Sequence, residues 1–358
     1  MADLYRGLDR FSSLEREAIL SWLRTTEPAE LERLFIAADT VRRRTVGDEV
    51  HLRGLVEISN HCRRRCAYCG IRAPNRALRR YRMTQDEILA AAEEARAAGF
   101  GTLVLQSGED PQLTGPYVAG LVSEIKRRTG LAVTLSLGER SRDDLARWRE
   151  AGADRYLLRF ETSDAALYRR IHPAADPEGP DRFALLGTLR ALGYEVGSGV
   201  MIGIPGQSYQ SLADDILAFR KLDLDMIGVG PYLPHPHTPL GYRPGHFLLP
   251  DSEQVPNDAD MTYRVLSLTR LVCPFANIPS TTALATLANE EGRDLGLLRG
   301  ANVVMPNLTP ERYRSLYEIY PNKACLHETA EFLRTTLETR INFLGRKIGT
   351  GPGSKKIK

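Results

Sequence analysis

Cys62, Cys66 and Cys69 stand together in the stretch EISNHCRRRCAYCGIR, whereas Cys273 and Cys325 lie far away. In a chain of 358 residues this clustering does not make a disulfide framework and points to metal. A structural zinc site closes with four ligands, commonly as two close pairs. No second pair is present, so a Cys3His site would recruit His61 or a remote histidine. An iron–sulfur cubane takes one terminal ligand at each of four irons. Cysteine spacings of four and three residues let one loop wrap three corners, leaving one iron open to chemistry. Downstream, His235 and His237 in PHPHTP have ligand chemistry but read more simply as part of a rim loop.

The rest of the composition narrows the class. With 42% apolar residues the chain buries a large core, and no run is long and apolar enough for a membrane span or a secretion signal, so a cytoplasmic protein is expected. Net charge is +3 with acids and bases interspersed, so no overall field favours nucleic acid. Basic residues concentrate locally, at Arg63, Arg64 and Arg65 and in RALRRYR from Arg76 to Arg82. That segment is a solvated face, or it contacts an anionic ligand or acidic partner. A structural zinc or RNA-binding protein is the non-enzymatic alternative.

The elements that position these residues read as an alternation. An N-terminal helical extension runs over 1–48, with Ser12 and Glu15 as a capping box and Ile19, Leu20, Trp22 and Leu23 as its buried stripe. From there LRGLVEIS, TLVLQSGED, AVTLSLG, RYLLRFET, EVGSGVMIGIPGQ, DMIGVGPYL, FANIPSTTALAT and ANVVMPN read as strands between amphipathic helices; one of these helices starts at Thr84 with Glu87 and ends near Gly99. About eight such units close an α/β fold, a (β/α)8 TIM barrel over 49–347, and 348–358 is expected to be a flexible tail. A doubly wound open sheet is the alternative. Polar or glycine-bearing residues follow nearly every strand, and in a barrel these ends share one rim.

The cysteine spacing, in the loop after the first strand and with Tyr68 before the last cysteine, resembles the signature of radical S-adenosylmethionine (SAM) enzymes. The resemblance implies that SAM itself completes the cluster, its amino and carboxylate groups chelating the open iron. QSGED stands where that family has a glycine-rich motif at the methionine amino group, which implies such a role for Ser107, Gly108 and Glu109. VMIGIPGQ and GVGPYLPHPHTPL are similar to the segments that pass the adenosine. Across nearly the whole chain, RYRMTQDEI, LVLQSGEDP, VTLSLGE, AGADRYLLRFET, GPYLPHPHTPL, NIPSTTA, GANVVMPN and YRSLYEIYPNKAC resemble the radical maturase family of FeFe-hydrogenase. Methylornithine synthase, an amino-acid mutase, and biotin synthase are its cousins and the competing readings.

This resemblance implies reductive cleavage of SAM to a 5'-deoxyadenosyl radical that attacks an organometallic iron–cysteine substrate. That substrate would come from a tyrosine-cleaving partner maturase, and the product would pass to a scaffold GTPase. An electron donor is required, with no membrane or nucleic acid and a monomeric enzyme. Glu161 would hold the SAM hydroxyls and Arg182 its carboxylate, while Met201 and Ile202 would pack near the adenosine. Gln106, Thr134, Ser136, Arg155, Thr281, Thr282 and Tyr317 match polar positions lining the family's substrate cavity, and Met226 an apolar wall. Arg155 also has a simpler place, low in the barrel and paired with an acid. Two departures stand out. Of a C-terminal cysteine triad found in many members only Cys325 remains, with Leu333 and Thr336 near the other places, so a single 4Fe-4S cluster and no second one is expected. Phe160 stands where members often have His.

Overall fold

The computed structural model describes residues 14–173, 181–321 and 330–356. Two helices, α1 (Arg16–Arg24) and α2 (Pro28–Thr45), precede a regular alternation. β1 (Glu49–Ser59) leads to α3 (Gln85–Ala97), β2 (Thr102–Ser107) to α4 (Gly115–Thr129), and β3 (Ala132–Ser136) to α5 (Arg142–Glu150). β4 (Arg155–Leu157) is followed by α6 (Ala165–Ile171) and α7 (Arg182–Ala191), β5 (Glu195–Ile202) by α8 (Tyr209–Lys221), and β6 (Met226–Pro231) by the short α9 (Pro239–Tyr242) and by α10 (Ala259–Val272). α11 (Thr282–Leu298), β7 (Val303–Val304), α12 (Glu311–Arg314), α13 (Ala330–Phe343) and β8 (Lys347–Ile348) complete the chain.

Local chemistry starts these helices where the sequence places them. Thr84 accepts from the Glu87 N–H at 3.3 Å while its own N–H donates to the Glu87 carboxylate at 2.6 Å, the capping box expected before α3. Ser141, Asp164, Asp181, Ser208 and Thr281 cap α5, α6, α7, α8 and α11 by accepting from first-turn N–H groups. At α1 the cap residue is Glu15, which makes no side-chain cap bond, and Ser12 lies outside the described residues. Ile19, Leu23 and Leu34 are fully buried in the same apolar cluster as the barrel strands, so α1 and α2 share its core.

Strands β1 to β6 pair in parallel and in order, and β1 also pairs with β7, His51 opposite Val303 and Leu52 opposite Val304. The segment between α10 and α11 closes the remaining gap. Asn277 bridges Met226 and Pro279 bridges Val303, with the Ile227 N–H donating to Asn277 O at 3.0 Å and the Ser280 N–H to Val303 O at 3.0 Å. The ring is therefore the expected (β/α)8 barrel. Its seventh member is a pair of bridges and not a regular strand, because Pro279 has no N–H to give to the ladder. Among the described residues no helix is long and apolar enough to cross a membrane.

The C-terminal segment departs from the expected loose tail. β8 pairs with the start of β1, and residues 351–356 then enter the floor of the barrel. Arg53 and Asn277 both donate to Gly353 O at 3.0 Å, while Arg155 donates to Pro352 O and to Ser354 Oγ at 2.9 Å each. The physical reason is charge. Arg53 and Arg155 are buried close together and Glu195, 2.9 Å from Arg155, is the acid paired there. Burial and the neighbouring Arg155 push the Arg53 guanidinium down to about 9. A guanidinium keeps its proton, so the tail carbonyls must take its hydrogens. Ending the chain at Gly349 should therefore lower unfolding stability by on the order of 3 kcal/mol in urea titration. An unchanged midpoint would mean that the tail does not seal the floor.

Candidate active site

Every strand of a parallel barrel ends on the same rim, and the cysteine loop leaves the end of β1. Asn60 pins its base, donating to Arg79 O at 2.9 Å and Leu316 O at 2.7 Å and accepting from the Tyr81 N–H. Arg80 donates to the carbonyls of Asn60, Ile71, Arg72 and Asn75, tying the loop to itself. The Arg63 N–H reaches Glu109 O, the Ala67 N–H reaches Ile171 O and the Gly70 N–H reaches Ile319 O, so neighbouring rim segments hold the thiols in place. Gly108 is required here. A Cβ on it would stand 2.3 Å from His61 O and 2.6 Å from Cys62 Cβ.

The rim opens into a cavity of about 280 Å³. Cys62, Cys66, Tyr68 and Cys69 line it from the β1 loop, Gln106, Ser107, Gly108 and Glu109 from the end of β2, and Ser136 from β3. Glu161, Arg182, Met201, Thr281 and Tyr317 complete the expected residues in its wall. Ile202 is instead buried in the apolar core, and Thr282 opens α11 outside the lining. Thr134 is buried below the cavity with its hydroxyl unpartnered. Arg155 and Met226 lie outside the lining: Arg155 takes the lower place read for it as the simpler one, and Met226 is corrected. As the first residues of β4 and β6 they lie at the barrel floor, Arg155 with Glu195 and the tail and Met226 with its sulfur 2.7 Å from Arg53 Nη1. Phe160, in place of a polar residue, stacks on Phe183 at 5.0 Å between the barrel and its helices. Cys325 lies outside the described residues, and Leu333 is buried in the core.

Burial pushes all three cavity thiols up, Cys66 to about 12 and Cys69 well above the ordinary thiol value, although Arg182 and Arg64 oppose the rise at Cys66. Thiolates here need more positive charge than the protein supplies, which a metal cluster provides on binding. Among the described residues no three His, Cys, Asp or Glu groups converge closely enough to chelate a single ion. Three thiols that line one cavity suit the separate corners of a 4Fe-4S cluster.

Beside the thiols lies a polar group of residues, several of which the sequence reading did not single out. Arg182 Nε donates to Glu139 Oε1 at 2.9 Å, and Arg64 Nη1 donates to Glu139 Oε2 at 3.2 Å. Both guanidiniums also contact His172, Arg64 at Nδ1 (2.9 Å) and Arg182 at Nε2 (2.6 Å). Burial and these two cations push the imidazole down to about 2, so it stays neutral. A neutral imidazole has one acceptor nitrogen and guanidinium only donates, so one contact sets donor against donor. An anion entering the cavity would relieve it by drawing one arginine away.

Glu161 is held at φ +64°, a left-handed backbone that costs a non-glycine residue on the order of 1 to 3 kcal/mol. Its Oε2 lies 3.0 Å from Arg159 Nη2 without hydrogen-bond alignment, and both atoms are buried without a hydrogen-bond partner. Such orphaned atoms fit a polar ligand in the cavity. Ser107 and Glu109 are by contrast committed: Ser107 Oγ donates to Gly108 O at 2.6 Å, and Glu109 accepts from Arg63 and from the Glu139 N–H. Arg159 was legible in principle, since two-residue alternation puts it on the face of Glu161. Arg64 was hidden in its basic run, and nothing local marked His172. Gly108→Ala should push the Cys62 backbone aside and cut iron bound after anaerobic reconstitution several-fold, with far-UV circular dichroism unchanged; wild-type iron content would contradict the geometry.

Comparison with known proteins agrees with this arrangement. The family model for the radical SAM superfamily matches residues 56–218. The chain is 45% identical to the [FeFe] hydrogenase maturase subunit HydE of Thermotoga maritima, over 95% of this chain and 94% of that protein. It is 31% identical to 3-methylornithine synthase of Methanosarcina barkeri over 85% of each. The crystal structure of methylornithine synthase superposes with a TM-score of 0.80 and 25% identity, covering 97% of both chains. Identity sustained over almost the full length, on a barrel that brings three loop thiols to its open rim, means that the chain belongs to the radical SAM superfamily of enzymes and, within it, to the family of the hydrogenase maturase HydE.

Proposed function

We propose that this protein binds a single 4Fe-4S cluster on Cys62, Cys66 and Cys69 and uses SAM to act on an organometallic iron–cysteine substrate during assembly of the diiron unit of FeFe-hydrogenase. The observation that carries the reading is the convergence of three thiols with the Glu161–Arg159 ion pair, whose facing atoms make no hydrogen bond, in one cavity. When bound, the cluster with SAM on its open iron supplies one-electron cleavage of the sulfonium to methionine and a 5'-deoxyadenosyl radical.

The chain's own residues bind, orient and exclude water. Arg182, drawn from the Glu139 and His172 contacts, pairs with the SAM carboxylate. The Glu161 carboxylate, in the cavity wall with one oxygen free of hydrogen bonds, accepts from the hydroxyls of the cosubstrate. Met201 packs beside the adenosine, backed by the small apolar cluster of Ala67, Leu167, Ile171, Ile204, Tyr232 and Leu240. Gln106, Ser136, Thr281 and Tyr317 offer polar contacts to the substrate deeper in the barrel, and the plugged floor bars water from below. Exposed Arg63, Arg65, Arg76 and Arg79 beside the thiols suit an acidic electron donor. The substrate is supplied by a tyrosine-cleaving partner maturase and the product passes to a scaffold GTPase.

The 45% identity to HydE, against 31% to 3-methylornithine synthase, favours the maturase over the mutase. Complementation of a strain lacking the maturase, scored by hydrogenase activity, tests the choice directly; restored activity is expected, and none would remove it. Reconstituted wild-type protein should be brown and release 5'-deoxyadenosine under reduction. Replacing any of the three cysteines by Ala should abolish that release. Arg182→Lys, which keeps charge but loses the fork, should weaken SAM binding by roughly tenfold. Full turnover in a cysteine variant would exclude the proposed cluster.

A further inference from the structure

We propose that Asp215, outside the cavity on α8, is a positioning residue that joins the ends of β4 and β5 and so aims Glu161 and Met201 at the cosubstrate. The inference rests on the SAM reading above and goes beyond it, because Asp215 touches neither cluster nor cavity.

Asp215 is fully buried behind the rim. Its Oδ1 accepts from the Thr162 hydroxyl at 3.3 Å, from the Ser163 hydroxyl at 2.6 Å and from the Ser163 N–H, all in the two residues that follow Glu161. Its Oδ2 accepts from Gln207 Nε2 at 3.3 Å. Gln207 Nε2 in turn donates to Met201 O at 3.0 Å, and Gln207 Oε1 accepts from the Gly203 N–H at 2.7 Å. One carboxylate and one amide therefore fix the backbone on both sides of the cavity's SAM-facing wall. The two strand ends also bond directly, the Glu161 N–H to Gly199 O at 3.0 Å and the Met201 N–H to Glu161 O at 3.3 Å.

The backbone that this carboxylate holds is strained. Glu161 sits at positive φ, +64°, immediately before the two residues that Asp215 grips. A non-glycine residue stays in that region only when its surroundings over-determine it. No cation is among the groups that act on the Asp215 carboxyl. Burial pushes it up to about 7, and the donors from Ser163, Thr162 and Gln207 act against that rise. The same network continues towards the thiols. The Thr162 hydroxyl accepts from the Asp164 N–H, Asp164 caps α6, and Ile171 O at the end of α6 accepts the Ala67 N–H of the cysteine loop.

Asp215→Asn preserves volume and one acceptor oxygen but turns an amide donor towards Gln207 Nε2, itself a donor, and so breaks the link to β5. Isothermal titration of SAM into anaerobically reconstituted protein should show a Kd raised about tenfold, equivalent to about 1.4 kcal/mol. Iron content, the cluster absorption spectrum and the unfolding midpoint should stay near wild type. Gln207→Leu, which removes the amide from the other side, should give a similar shift, and the double variant should add little to either, since both break one link. An Asp215→Asn affinity within twofold of wild type overturns the proposal. So does an affinity loss that only tracks a lowered midpoint or iron content, the mark of a general structural role. Wild-type protein that fills its cluster yet binds no SAM overturns the functional reading as well, whereas wild-type binding with an unchanged variant overturns this inference alone.

Discussion

A polar group buried in a closed barrel costs free energy unless a partner meets it, and the molecule is divided by where that condition is satisfied. At the floor it is met by the chain itself. Arg53 and Arg155 share one acid, Glu195, and the carbonyls of Pro352 and Gly353 with the Ser354 hydroxyl take their remaining hydrogens. Behind the rim, Asp215 is met by donors from Thr162, Ser163 and Gln207. In the cavity it is not met. Glu161 Oε2 and Arg159 Nη2 are left without hydrogen bonds, His172 faces two donors, and three thiols are held where ionisation is costly. The groups met at the floor and behind the rim hold the scaffold, and those left unmet in the cavity face the ligands.

The cysteine loop shows how the two kinds cooperate. Its conformation is carried by backbone and amide bonds that owe nothing to metal: Asn60 at its base, Arg80 across its carbonyls, and the neighbouring Glu109, Ile171 and Ile319 carbonyls at its sides. The thiols are therefore presented to a cluster by a preformed loop, with Tyr68 and Met201 packed against the adjoining apolar cluster. Binding then spends little on ordering the chain, which is the physical content of preorganisation.

Much of this was legible from residue order. The thiol triplet carries its chemistry in its own type and spacing, resemblance to a family marked QSGED and Glu161, and the barrel placed them on one rim because parallel strands all end there. The capping box at Thr84 and Glu87 formed as read, being purely local. Other expectations failed for non-local reasons. Arg155 and Met226 have inward-facing positions like those of true lining residues, and only their height along the barrel puts them at the floor. The glycine- and lysine-rich C-terminus has the composition of a loose end, yet two buried arginines elsewhere in the chain require its carbonyls.

The sequence by itself determined which atoms are available: three thiols in one loop, acids and arginines at strand ends, and the alternating apolar pattern that makes eight strands close. These are properties of neighbours along the chain. The tertiary structure alone decided which of those atoms are paired and which are left facing the cavity. Pairing depends on residues far apart in sequence, such as Arg53 with Gly353 or Thr162 with Asp215, meeting in a medium that penalises every unmet charge.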